Sequence, residues 1–138
     1  MRFWDTSAIA ALLVEEPRSG IARELLGGDE QLAVWWSTPV ECWSALARLR
    51  REGVLDQEAE RASQGRLDVL RSVWHEISPS EEVRLQARRL LRVHRLRAAD
   101  ALQLAAAVVW SGASAQQEFV SFDERLRDAA DAEGFLVI

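Results

Sequence analysis

Short apolar runs alternate with longer amphipathic stretches along this chain, the rhythm of a parallel-sheet α/β protein. Residues 2–5 read as a first strand, and Thr6 to Val14 reads as a helix. Pro17 suits the first turn of a second helix, which Gly27-Gly28 ends. Residues 31–36, Gln-Leu-Ala-Val-Trp-Trp, read as a second strand. Ser37 or Thr38 caps a third helix that has Pro39 near its first turn, runs to about Glu52 and stops at Gly53. Its expected apolar stripe is Val40, Trp43, Leu46 and Leu49. A fourth helix spans roughly 56–72, and Trp74 to Ile77 is a short strand. Ser78-Pro79-Ser80 opens a fifth helix, with Ser80 as cap and Val83, Leu85, Leu90 and Leu91 as core. A nearly all-apolar helix from Ala98 to Trp110 is broken by Ser111-Gly112. A strand at 118–122, a helix at 123–132 and a last strand at 135–138 complete the pattern.

At 138 residues, 49% hydrophobic and 28% charged, the chain is expected to be one globular domain, 1–138, with no repeats and no linker. No apolar run is long enough to cross a bilayer. The first residues lack the basic segment and long apolar core of a signal peptide, so the expected location is cytoplasmic. The single cysteine, Cys42, forbids an internal disulfide and a multi-cysteine zinc site, and reads as a small buried hydrophobe. All 17 basic side chains other than histidine are Arg. The lack of Lys removes Walker-A nucleotide binding, Schiff-base catalysis and receiver-type phosphotransfer. His75 and His94 share no metal-ligand spacing. Carboxylates, hydroxyls and arginines carry whatever chemistry there is. The net charge of −5 argues against a general nucleic-acid coat.

Four acids stand where an apolar stretch meets a helix start: Asp5, Glu41, Asp100 and Asp123. Carboxylates at the carboxyl ends of parallel strands point into one crevice, and such oxygen ligands suit Mg²⁺ or Mn²⁺. Asp5 and Asp123 also fit as ordinary N-caps. Glu41, in a first helical turn, complements the helix dipole and falls off its helix's apolar stripe. Asp100 and Gln103 are the only polar side chains between Ala98 and Trp110, and a carboxylate at the start of a buried helix needs a partner or a metal. Arg95 or Arg97 is the competing partner. Ser7 is placed to hydrogen-bond Asp5, and Ser121 to support Asp123.

The arginine run Arg84, Arg88, Arg89, Arg92, Arg95 and Arg97 leads into Asp100, and positions 84, 88, 92 and 95 fall along one helical face, either as a solvated face or as a phosphate-contacting stripe. Most of the six tryptophans belong in the core, but Trp35 and Trp36 are consecutive, so one faces away from it.

These motifs together resemble a PIN-domain ribonuclease, and within that family the VapC toxins of toxin–antitoxin pairs. The resemblance runs through Phe3-Trp4-Asp5-Thr6-Ser7-Ala8, Pro39-Val40-Glu41, Ala99-Asp100-Ala101-Leu102-Gln103-Leu104-Ala105 and Val120-Ser121-Phe122-Asp123-Glu124-Arg125-Leu126. It implies a three-layer α/β/α fold with a mostly parallel sheet of about five strands. It implies an acidic quartet of Asp5, Glu41, Asp100 and Asp123 holding Mg²⁺ or Mn²⁺, with a supporting hydroxyl from Ser7 or Thr6. The implied reaction is hydrolysis of RNA to 5′-phosphate and 3′-hydroxyl ends. The implied partners are a VapB-type antitoxin and a second copy of the chain in a homodimer. Many relatives carry His at the position of Gln103. Two other readings compete: a catalytically silent PIN-fold module that binds RNA or protein, and a metal-dependent phosphatase. Ser7 at the place of a second Asp, and the missing Gly-rich phosphate loop, disfavour the phosphatase.

Overall fold

The computed structural model describes residues 1–112, 114 and 116–138. In chain order the elements are β1 (Arg2–Trp4), α1 (Thr6–Leu13), α2 (Ser19–Gly28), β2 (Leu32–Trp35), α3 (Thr38–Arg51), α4 (Gln57–Arg71), β3 (His75–Ile77), α5 (Glu81–Val93), α6 (Ala98–Ser111), β4 (Glu118–Val120), α7 (Glu124–Ala132) and β5 (Leu136–Val137). The five strands form one sheet in the order β3-β2-β1-β4-β5, and every pairing is parallel.

A parallel sheet needs cover on both faces, and the side-chain alternation supplies it. Phe3, Ala33, Trp35 and Phe119 point to one face, where they pack with Leu90, Leu104 and Leu126 of α5, α6 and α7. Trp4, Leu32, Val34 and Val120 point to the other, against Ile9, Ala22, Leu46 and Leu67 of α1 to α4. The result is the expected three-layer α/β/α arrangement. β1 lies at the centre, and the chain first builds outward on one side through β2 and β3, then on the other through β4 and β5. That reversal puts a switch point beside the carboxyl end of β1, where open α/β sheets form their crevice.

Several local expectations change. α2 begins after Pro17, at Ser19, because the Ser19 hydroxyl accepts from the Glu16 N–H and donates to the Val14 carbonyl, turning the chain before the helix starts. α3 buries Thr38, Cys42 and Leu46, while Val40 and Trp43 are exposed. The apolar pattern of α3 thus marks two faces, and Leu46 of the expected stripe takes the inner one with the smaller Thr38 and Cys42. Leu85 and Leu91 of α5 are likewise exposed, and Val83, Ala87 and Leu90 form its inner face. Trp35 is 5% and Trp36 52% exposed, because Trp35 ends β2 inside the covered sheet and Trp36 lies in the turn beyond it. Among the described residues no helix is long and apolar enough to span a membrane.

Candidate active site at the carboxyl edge of the sheet

Asp5 is the first residue beyond β1, and its backbone N–H donates to the Val120 carbonyl of neighbouring β4 (3.1 Å). Its side chain is 4% exposed. Asp5 Oδ1 accepts from Ser7 Oγ (2.7 Å) and, as N-cap of α1, from the Ala8 N–H (3.3 Å). Ser7 Oγ also accepts from the Phe122 N–H (2.8 Å), so one hydroxyl joins the corner after β1 to the segment after β4. Burial raises the Asp5 pKa from 3.8 to about 6, against weaker opposing hydrogen bonds with Ser7, Ala8 and Ser121.

Asp123 caps α7 through the Leu126 N–H (2.9 Å), and its own N–H donates to Ser121 Oγ (3.1 Å). Its side chain is exposed to the cleft. Asp100, half-buried in the first turn of α6, makes no ion pair among the described residues with either Arg95 or Arg97. Its pKa is raised by burial first, then by the charges of Asp123 and Glu41, with a hydrogen bond to the Arg97 backbone opposing. Two carboxylates from other elements thus lie within electrostatic reach of Asp100. A cleft of about 680 Å³ has Asp100 and Asp123 in its wall, with Arg97, Arg125 and Phe122 around them.

Glu41 enters from the first turn of α3. Its Oε1 accepts from Ser37 Oγ (2.7 Å) and from Gln103 Nε2 (3.2 Å), and its Oε2 accepts from Thr6 Oγ1 (2.9 Å). Ser37 makes no capping bond to the α3 backbone; its hydroxyl serves the acid one turn on. That partner was readable from the i, i+4 spacing, whereas the bond from Thr6 crosses between helices and leaves no local trace. Cys42, next in the chain, has its thiol pushed up to about 12 by burial and by the charges of Glu41 and Asp5, which makes it inert.

The arginine run divides. Arg89 pairs with Glu133, Arg84 with Glu81, and α5 ends at Val93 before Arg95 and Arg97. Only Arg97 of the run reaches the acidic cleft. Arg18, not singled out by sequence, donates to the Phe122 carbonyl (3.0 Å) and lies 5.3 Å from the Phe122 ring centroid.

Oxygen donors alone suit a hard divalent cation. Among the described residues, however, no three His, Cys, Asp or Glu side chains converge closely enough to hold one. The raised Asp5 and Asp100 pKa values suit a bound cation, which would offset the burial of both groups and the like-charge repulsion at Asp100.

An open parallel α/β domain with an acidic crevice at its switch point defines the class. The chain belongs to the PIN domain family, whose model matches residues 2–132. Solved structures share the fold. VapC20 of Mycobacterium tuberculosis, described as a sarcin-ricin loop cleaving toxin, is 22% identical with a TM-score of 0.67, and the match covers 99% of this chain and 97% of that one. FitAcB from Neisseria gonorrhoeae is 19% identical at TM-score 0.69, covering 100% and 96%. VapBC2 from Rickettsia felis, bound to a DNA fragment from their promoter, is 14% identical at TM-score 0.67, covering 100% and 98%. No curated protein matches significantly by sequence.

Proposed function

We propose that this chain is a metal-dependent endoribonuclease, the toxin of a VapBC-type toxin–antitoxin pair. What supports the proposal is a PIN-family chain in which Asp100 of α6 lies within reach of the charges of Asp123 and Glu41, with Asp5 just beyond the end of central β1. The likeness to toxin structures supports the toxin reading, and FitAcB and VapBC2 support an antitoxin partner.

In this reading Asp5, Asp100 and Asp123 hold Mg²⁺ or Mn²⁺ directly or through water, and Glu41 completes the set or orients the attacking water. The cation, when bound, supplies positive charge that lowers the pKa of water and neutralises charge developing on the phosphate. Ser7 holds the Asp5 carboxylate by donating to Oδ1. Thr6 and Ser37 hold Glu41 from two sides. Arg97 and Arg125, on the rim beside Asp100 and Asp123, offer guanidinium contacts to the RNA backbone. The buried strand ends behind Asp5 exclude bulk water and strengthen these interactions. The partners are RNA, a VapB-type antitoxin and a second copy in a homodimer, in the cytoplasm.

That no three such ligands converge among the described residues favours one alternative, a silent PIN-fold module that binds RNA or protein. Cleavage of total RNA by purified antitoxin-free protein decides between them, with Mg²⁺ or Mn²⁺ present and with EDTA and Asp5→Asn controls. Discrete metal-dependent fragments lost in the variant support the nuclease. Folded protein that cuts nothing with any metal overturns it.

A further inference from the structure

Gln103 is the only polar residue among the buried positions of α6; the others are Ala101, Leu104, Ala105, Ala106 and Ala107. It is 1% exposed, and its Oε1 is buried with no partner among the described residues. Its Nε2 lies 2.8 Å from Thr6 Oγ1 and 3.2 Å from both Thr38 Oγ1 and Glu41 Oε1.

We infer that Gln103 is a positioning residue that fixes both oxygens of the Glu41 carboxylate; its consequence for catalysis rests on the nuclease reading above. The amide reaches Oε1 directly. It reaches Oε2 through Thr6, whose hydroxyl accepts from Gln103 and donates to Glu41 at 2.9 Å. The orientation of the amide is dictated by chemistry. An ionised carboxylate only accepts, and Thr6 has committed its one proton to Glu41, so the NH₂ end must face them. Two amide protons meet three acceptors, and the side chain's oxygen is left unsatisfied.

An apolar residue at position 103 would avoid that orphaned oxygen in an otherwise apolar helix. The position is therefore suited to donating protons rather than to packing. Glu41 needs such restraint because it is a flexible side chain, half-buried in a first helical turn. With Ser37 also on Oε1, both of its oxygens are tied to three different elements: α1, α6 and the turn before α3.

A purely structural Gln103 would instead join α1, α3 and α6, and its loss would show in stability alone. Gln103→Met separates the two roles, because it keeps the chain length and removes both donors and the orphaned oxygen. Crystal structures of the wild type and this variant locate the Glu41 carboxylate. Calorimetric Mn²⁺ binding is measured for wild type, Gln103→Met, Glu41→Ala and the double variant, beside RNA cleavage kinetics. The expected results are a displaced Glu41 carboxylate, kcat reduced about tenfold or more with KM little changed, and no further loss of Mn²⁺ affinity when Gln103→Met is added to Glu41→Ala. An unmoved Glu41, or losses that simply add, would overturn the inference. If wild type neither cuts RNA nor binds Mn²⁺, the nuclease reading falls, and the two crystal structures still decide what Gln103 does. Should Gln103→Met fail to fold, Gln103→Leu also removes the donors and the orphaned oxygen, so it carries the same comparison.

Discussion

Replacing Asp5 by Asn should stabilise this protein while abolishing the proposed cleavage of RNA. Asp5 is buried, and its pKa rises from 3.8 to about 6 on folding. The difference of about two pKa units corresponds to about 3 kcal/mol of destabilisation once the group is ionised in both states. The sign follows from proton binding. Between pH 3.8 and about 6 the folded chain holds a proton that the unfolded chain has lost, so this group's contribution falls as pH rises through that window and is constant above it. Asn removes the charge yet keeps an oxygen to accept from Ser7 and Ala8. Its new N–H groups must still find partners, so a gain of about 1–3 kcal/mol is expected above pH 6, or about 3–10 °C in Tm for this length. Thermal melts of both proteins in EDTA at pH 4, 5, 6 and 7.5 measure it. The advantage of Asp5→Asn should shrink as pH falls from 6 to 4, because the wild-type carboxyl then becomes neutral. Added Mg²⁺ should raise the wild-type Tm and leave the variant unchanged, with about 2.7 kcal/mol gained at a hundredfold excess over Kd. A variant no more stable than wild type at pH 7.5, or a difference that ignores pH, would refute the reasoning.

Three further outcomes are expected. Glu133 accepts from Arg89 and contacts His94 at 2.7 Å, and its pKa is lowered chiefly by the Arg89 hydrogen bond, so its contribution is present at neutral pH and lost as pH falls through its folded pKa. Glu133→Gln should cost about 1 kcal/mol or less, since Arg89 is largely exposed and solvent screens the pair, and melts at pH 7 against acid pH would register the difference. Leu46→Ala, at a buried position of α3, should cost about 2–5 kcal/mol in urea unfolding. Val40→Ala on the exposed face of the same helix should cost about 0.5 kcal/mol or less; equal losses would mean that the inner face of α3 is misassigned. Arg97→Ala and Arg125→Ala should raise KM for RNA several-fold and weaken its salt dependence with a smaller change in kcat, and a loss confined to kcat would remove them from the substrate path.

The order of strands and helices was legible because apolar periodicity and capping residues are local signals. Ser80 and Asp123 bond the backbone three residues on, as their positions in the sequence suggest. The four acids were legible as candidates because each stands at or near a helix start; Asp5, Glu41 and Asp123 follow β1, β2 and β4, whereas Asp100 opens a helix that follows α5, so its nearness to Glu41 and Asp123 comes from packing and not from a strand end. Which side of an amphipathic helix faces inward was less legible. Val40, Trp43, Leu85 and Leu91 are apolar yet exposed, because the space against the sheet admits Thr38, Cys42 and Leu46 on α3 and Val83, Ala87 and Leu90 on α5. Hydrophobicity along a helix cannot tell a core face from a second apolar face when both are present.

Sequence by itself determined the alternation of elements, the chemical repertoire and the identity of the candidate acids, since these depend on residue type and neighbours within a turn or two. Only the tertiary structure decided the side-chain partnerships. Ser7 meets the Phe122 backbone across 115 positions of sequence, and Gln103 meets Thr6 across 97. Contacts of that kind are set by the strand order β3-β2-β1-β4-β5, which brings the ends of β1 and β4 together. No local pattern encodes them, because each is a property of where the chain reverses its direction of sheet building.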